Sequence, residues 1–248
     1  MAGSSAVGWV QPATAAFGSV HLPAVPLVSN DLMCPTSNVP LPTSPTRVLL
    51  LHGIWNSRLW VVPMAWRLRQ LGFEVETFGY PSILGGPQVA VPRLVQVLRQ
   101  RPAVAVVGHS LGGLVALEAL RQAPQLAVAR VVCLGAPLRG SGTARRLGAR
   151  GLRAALGRSA QLLDAGVPAW AGVAQVGMIT GRTPRGLGSV LGAVQGYSDG
   201  TVAEHETQLP GLHDCCHVQV THSGLLLSAQ VALQAAHFIR EGRFSPQA

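Results

Sequence analysis

The chain has 248 residues, 48% hydrophobic and only 12% charged, a size and balance that suit one α/β domain with a sizeable core. Its formal charge is +9 and every one of its 19 cationic side chains is Arg. No nucleic-acid-binding motif accompanies that charge, which points to solubility with some affinity for anionic surfaces, and nucleic acid is not an expected partner. No apolar run reaches the roughly 18 residues of a membrane span. Adjacent Cys215 and Cys216 are poorly placed to bridge each other, and with Cys34 and Cys133 they do not form a disulfide framework. That usage points to a cytoplasmic protein.

Residues 1–46 hold one charged residue, Asp31, and are rich in Pro, Ser, Ala and Val. They lack the positive and compact apolar regions of a secretory signal and read as a poorly ordered tail, with Met33 an alternative start. The domain is expected over 47–248. Val48-Leu49-Leu50-Leu51 is a buried parallel strand ending in His52-Gly53. Ser57 to Leu71 carries Leu59, Val62, Met64, Trp66, Leu68 and Leu71 at helical spacing and stops at Gly72. Phe73 to Phe78 alternates as a strand near an edge would. Pro87 to Arg101 is a helix, with Pro92 a first-turn residue or a kink. Ala103 to Val107 is a strand, Leu111 to Gln122 a helix, and Val128 to Leu134, Val173 to Thr180 and His217 to Thr221 are further strands. Leu225 to Glu241 is a final amphipathic helix. Alternating strands and helices predict a mostly parallel, doubly wound sheet of about six strands. The rhythm breaks over Arg139 to Ala171, where Arg146, Arg150 and Arg153 share a helical face. This segment is either a small lid over a site or a surface helix with a loose connection.

Between the strand Ala103–Val107 and the helix that follows stands Gly108-His109-Ser110-Leu111-Gly112-Gly113. Strand, G-x-S-x-G, helix is the pattern of a nucleophile elbow: a strained turn lifts a serine hydroxyl beside a helix N-terminus, and the flanking glycines leave room for strand and helix. Serine needs a base, and the base needs a carboxylate, in the chain order Ser, Asp or Glu, His. His222 follows the last expected strand and precedes the last helix, where the base belongs; His217 and His213 are the alternatives. Between Ser110 and His222 the acids are Glu118, Asp164, Asp199, Glu204, Glu206 and Asp214. Asp199, in the turn Ser198-Asp199-Gly200, is the favoured one, with Asp214 and Glu204 behind it. The Gly-rich connection 181–196 separates it from its strand. Two N–H groups should stabilise an oxyanion: Leu111, after the nucleophile, and Ile54, in the loop after the first strand.

These stretches resemble the α/β-hydrolase superfamily, and within it small bacterial lipase/esterase-like proteins related to triacylglycerol lipases and PGAP1-like hydrolases. The resemblance rests on Leu51 to Trp55, Gly108 to Gly113, Leu134 to Pro137 with Gly140-Ser141, Ser198 to Val202 and Thr221 to Leu225. It implies an α/β-hydrolase fold and hydrolysis of small-molecule, lipid-like carboxylic esters through an acyl-enzyme, without metal or cofactor. It also implies Asp199 as the acid. Transfer of the acyl group to another acceptor, and a non-catalytic binding module, are the alternative readings. Trp55 and Trp60 either line an acyl pocket or fill core. The cluster His213-Asp214-Cys215-Cys216-His217 would sit on both faces of an extended strand, which argues against a metal site. The basic stretch Arg139 to Arg158 reads as a solvated face or as a means of transient contact with lipid surfaces.

Overall fold

A computed structural model of the protein describes residues 45–101 and 104–246. Of the tail expected over 1–46, residues 1–44 lie outside the described residues, Met33 and Cys34 among them. The strands are β1 (Arg47–Leu51), β2 (Glu74–Phe78), β3 (Val104–His109), β4 (Arg130–Leu134), β5 (Gln175–Gly181) and β6 (Asp214–Val218). They form a six-stranded sheet in the order β2-β1-β3-β4-β5-β6, and every neighbouring pair is parallel.

Alternation along each strand divides the core. Leu49, Leu51, Val104, Val106, Val131 and Cys133 join one apolar cluster with helices α2 (Gly86–Arg99) and α3 (Leu111–Gln122). Val48, Leu50, Ala105, Val107, Val132 and Leu134 join the other, with α1 (Val62–Gln70) and the C-terminal helix Ala229–Glu241. Burying a Leu or Val of this kind stabilises by about 1.5–3 kcal/mol. A slip of one residue would exchange the two faces of every strand, so the sets fix the register. At the β2 edge Glu74 and Glu76 point outward and pair with Arg47 and Arg101, both at 2.9 Å. Such charges discourage further strand pairing there.

The first departure from the sequence reading is the last strand. It runs over Asp214–Val218, not His217 to Thr221. Cys216 and Val218 supply its buried positions, and Gly177 to Gly181 of β5 pair with Asp214 to Val218. A buried Cys behaves as a small hydrophobe, and the polar His213-Asp214 hides that alternation. The helix expected over Ser57 to Leu71 begins as a 3₁₀ turn, Arg58–Val61, capped by Ser57. Val61, Met64, Ala65 and Leu68 form its buried side, while Leu59, Val62 and Trp66 are exposed. The last helix breaks at Ser228, whose extended backbone and hydroxyl cap Ala229–Glu241 through Val231 N–H at 3.3 Å. Pro92 lies inside α2.

The chain leaves β1 toward β2 on one side, and β3 lies on the other. At such a switch point the loops after the two central strands part and leave a crevice at their C-terminal ends. Here those loops carry Gly53-Ile54 and Ser110. The elbow also constrains β3 and α3: a Cβ at Gly108 would lie 2.5 Å from Gly113 N and 2.6 Å from Gly112 C. Backbone cannot yield as a flexible side chain would. Gly108→Ala is expected to cost about 3 kcal/mol and lower the thermal midpoint by roughly 6–12 °C, read by thermal denaturation.

Candidate active site

Ser110 has φ 54° and ψ −122°, a backbone conformation that L side chains rarely adopt. Only Trp55 joins it as a non-glycine with positive φ among the described residues. The strain, about 1–3 kcal/mol, is held in place by hydrogen bonds. Ser110 N–H donates to Leu134 O at 2.9 Å, and Ser110 O accepts from Gly113 N–H at 3.0 Å. Leu111 begins α3, so its N–H is among the four that a helix leaves without an intrahelical partner.

His222 and Asp199, 23 residues apart, meet with Nδ1 to Oδ2 at 2.6 Å. Their backbones are joined as well, His222 N–H donating to Asp199 O at 2.9 Å. Asp199 is buried. Its Oδ1 accepts from Thr201 N–H at 2.9 Å and from Val202 N–H at 2.8 Å. Burial alone would raise the carboxyl pKa, but the charge and hydrogen bond of His222, with the Val202 and Thr201 amides, hold it below the ordinary carboxylate value. With Nδ1 committed to Asp199, Nε2 is the nitrogen of His222 left to exchange a proton.

The competing residues are engaged elsewhere. Glu204 pairs with Arg182 at 2.9 Å, Asp164 with Arg153 and Glu118 with Arg121 at 2.7 Å. Asp214 Oδ2 accepts from Phe244 N–H at 2.7 Å. Buried Glu206 accepts from Ala203 N–H at 2.8 Å and from Gly142 N–H, which ties the loop after β4 to the Asp199 turn. His217 lies 2.6 Å from Thr180 Oγ1, and His213 Nδ1 accepts from Val176 N–H at 3.3 Å. Among the described residues no group of three or more His, Cys, Asp or Glu could hold a metal ion. Burial pushes the Cys133 and Cys216 thiols up to about 12, so neither supplies a thiolate at neutral pH.

The loop after β1 lies directly on the elbow. A Cβ at Gly53 would meet Ser110 Cβ at 3.0 Å and His109 Nδ1 at 3.2 Å, so glycine permits the approach. Ile54 N–H has no hydrogen-bond partner among the described residues. Two buried histidines brace this region. His52 lies 2.8 Å from Gly53 O through Nδ1, and its Nε2 accepts from Tyr80 N–H at 3.2 Å. Its ring stacks on Tyr80 at 4.4 Å. Burial is the main cause that lowers its pKa. His109 is buried so fully that desolvation, and then the nearby His222, push its pKa down to about 3. A neutral His109 carries one proton, and its Nε2 lies 3.1 Å from His222 O, a group that can only accept. The proton is therefore assigned to Nε2, and His109 fastens the His222 loop to the elbow. Its Nδ1 has no partner among the described residues. His109→Phe, which keeps the ring and loses the donor, is expected to lower kcat roughly 10-fold with KM little changed. His109→Gln should recover part of that loss in steady-state kinetics.

Ser110 and His222 line one cleft of about 280 Å³ with Gly53, Ile54, Trp55 and Arg185. Trp55 Nε1 donates to Ala155 O at 2.7 Å. Trp60 is not among the lining residues and is 57% exposed, so it fills neither this cleft nor the core. The segment 139–171, considered above as a lid, lines none of the cleft. It forms α4 (Gly142–Ala149), a 3₁₀ stretch Arg153–Ser159 and a helix Ala160–Ala165, and buries Leu147, Leu156 and Leu163. Arg158 N–H donates to Ile83 O at 2.9 Å, fastening it to the loop after β2. Arg146 and Arg150 both reach Leu191 O. The cleft is bounded instead by Arg185, Gly186 and Leu187, from the Gly-rich connection.

Sequence reasoning missed Arg185, and also Gly135. A Cβ at Gly135 (φ 56°) would lie 2.8 Å from Asp199 Oδ2 and 3.2 Å from His222 Nδ1. The Gly-Ala-Pro after β4 was the available signal for it.

The family model described as Alpha/beta hydrolase family matches residues 48–236. No curated protein matches the chain in sequence. Among solved structures, the mature form of lipase BlEst2 from Bacillus licheniformis is similar, with TM-score 0.62 and 19% identity over 80% of this chain and 91% of that one. The metagenomic carboxyl esterase MGS0156 gives TM-score 0.57 and 17% identity over 82% and 77%. Phospholipase PlaB from Legionella pneumophila gives 0.51 and 16% over 66% and 46%. At these identities the likeness is one of fold. No helix among the described residues is long and apolar enough to cross a membrane.

Proposed function

This chain belongs to the alpha/beta hydrolase family, and from that premise we propose that it is a serine hydrolase cleaving small-molecule carboxylic esters, lipid-like ones in particular, through an acyl-enzyme. The observation that carries the reading is the contact at 2.6 Å between buried Asp199 and His222, a histidine that lines one cleft with a serine in a strained turn. Ser110 Oγ attacks the ester carbonyl while His222 Nε2 takes its proton, and Asp199 holds the imidazole in the required tautomer and stabilises the imidazolium. The N–H groups of Ile54 and Leu111 stabilise the oxyanion. His222 then protonates the leaving alcohol, and water attacks the acyl-serine by the same route in reverse.

Ester chemistry is common to the lipase, the carboxyl esterase and the phospholipase named above, which supports this class of reaction. The lipid-like preference draws on a specific feature. Leu59, Trp60, Val62 and Trp66 are exposed at 73%, 57%, 46% and 56%, and follow the Ile54 loop directly in the chain. Exposed Trp and Leu of this kind suit transient contact with a lipid surface.

The test is rapid mixing with p-nitrophenyl esters of increasing acyl length, with and without detergent, followed by addition of a competing alcohol or amine. An acyl-enzyme predicts a nitrophenol burst of about one equivalent per protein when deacylation is slow. Free acid as the main product supports hydrolysis. Predominant transfer to the competitor favours an acyltransferase instead. A well-folded protein that turns over no ester of the series would sink the proposal.

A further inference from the structure

The cleft around Ser110 carries a charge that the proposed chemistry does not use. Among the described residues that line it there is no Asp or Glu, and the only Arg is Arg185. Its exposed side chain makes no hydrogen bond or ion pair with any described residue. Its neighbour Arg182 shows what a structural arginine looks like in the same loop: it pairs with Glu204 at 2.9 Å and lies 4.6 Å over the Tyr197 ring. Asp199 is not a partner of Arg185: its Oδ1 accepts from the Thr201 and Val202 amides and its Oδ2 meets His222.

The backbone of Arg185 is fixed even though its side chain is free. A Cβ at Gly200, φ 91°, would lie 2.2 Å from Arg185 C and 2.6 Å from Arg185 N, so the Asp199-Gly200 turn packs directly on this residue. Ser189 N–H donates to Gly200 O at 3.0 Å, and Ser189 Oγ to Pro184 O at 3.0 Å. The guanidinium therefore springs from a point braced against the turn that holds His222. An unpaired guanidinium that lines a cleft without carboxylates matches a carboxylate or phosphate in geometry and charge. The surroundings have the same sign. A second cavity, of about 540 Å³, shares Asn56 with the cleft and is lined by Arg58, Arg93 and Arg101 against Glu76 alone. Glu76 is taken up by Arg101 at 2.9 Å.

We propose that the ester taken by this site carries an anionic group, a carboxylate or phosphate, which Arg185 binds beside the scissile bond. The proposal rests on the serine-hydrolase reading and names its substrate class. The anion belongs either to a small soluble ester or to a lipid headgroup.

The readout is the ratio of kcat/KM for an anionic ester to that for its uncharged counterpart. One soluble pair is 4-carboxyphenyl butyrate against 4-carbamoylphenyl butyrate, and another is p-nitrophenyl hemiadipate against p-nitrophenyl hexanoate. The lipid arm compares vesicles of phosphatidylglycerol with vesicles of zwitterionic phosphatidylcholine. The parent is expected to favour the anionic member in at least one arm. Arg185→Gln should cut that ratio by roughly 10- to 100-fold, mainly through KM, with Arg185→Lys in between. Raising ionic strength from about 20 to about 500 mM should compress the parent's ratio, since screening weakens an exposed charge contact. An effect confined to the soluble pairs assigns the anion to a small ester, and one confined to vesicles assigns it to a headgroup. A parent that hydrolyses uncharged esters through Ser110 but shows no anionic preference overturns this proposal alone. So does a loss in Arg185→Gln that is equal for both members of every pair. A folded parent that hydrolyses nothing overturns the serine-hydrolase reading first.

Discussion

Ser110→Ala is expected to lower kcat/KM for ester hydrolysis on the order of 10⁴-fold or more, while far-UV circular dichroism and the thermal midpoint change little. The size of the loss follows from what the hydroxyl does. In the proposed mechanism no acyl-enzyme can form without Oγ, and His222 and Asp199 are left with no nucleophile to activate. The oxyanion donors would remain, so a residual rate above that in water should persist. Residues acting as one unit are not additive. His222→Ala should therefore cost about as much as Ser110→Ala, and the double variant little more than either. The strained turn at φ 54° is built by Leu134 O and Gly113 N–H rather than by the serine side chain, so Ala can occupy it without unfolding. Parent-like hydrolysis by purified Ser110→Ala would refute the mechanism.

Asp199→Asn should lower kcat on the order of 10³- to 10⁴-fold. An amide in place of Oδ2 can present N–H to His222 Nδ1, which favours the tautomer with its proton on Nε2, where it cannot accept from Ser110. The same substitution has a stability signature. The Asp199 carboxyl is held below its ordinary pKa in the folded protein. The unfolded chain, with a carboxyl near about 3.9, therefore binds the proton more readily. The carboxylate's contribution to stability is fully present above that unfolded value and is lost as pH falls through the folded one. Urea unfolding of the parent between about pH 5 and pH 2 should show this loss, and Asp199→Asn should follow a shallower acid limb. An acid limb identical in both proteins would contradict the carboxylate's assigned environment.

The legible parts of this chain are those in which local sequence and tertiary role coincide. β1, the Gly108–Gly113 elbow and α3 are continuous in sequence, so apolar runs and glycines identify them almost to the residue. The position of His222 just before the last helix was equally readable, even though the preceding strand lies three residues earlier than expected. The bounds of β6 are less legible, because the buried Cys216 acts as a small hydrophobe beside the polar His213-Asp214. Asp199 needed the family resemblance, because a long Gly-rich connection separates it from β5 and a turn-forming Asp-Gly has many uses. In the fold it is the acid that meets a histidine on the loop after β6. Arg185 gave no local signal that tied it to the site, and Gly135 only the Gly-Ala-Pro after β4. Their importance comes from packing between segments distant in sequence: Gly200 against the Arg185 backbone, and Gly135 against the Asp199–His222 pair. Trp60 misled for the opposite reason, since an aromatic residue near a catalytic loop suggests a pocket wall whereas its ring is largely exposed.

In the proposed mechanism Ser110 is the nucleophile, activated by His222 and Asp199. The most direct test is covalent capture by a fluorophosphonate, read by intact mass and peptide mapping. The expected result is one adduct per chain, located on Ser110, absent in Ser110→Ala and formed far more slowly in His222→Ala and Asp199→Asn. A folded protein that takes up no label, or that carries it on another residue, would contradict the account.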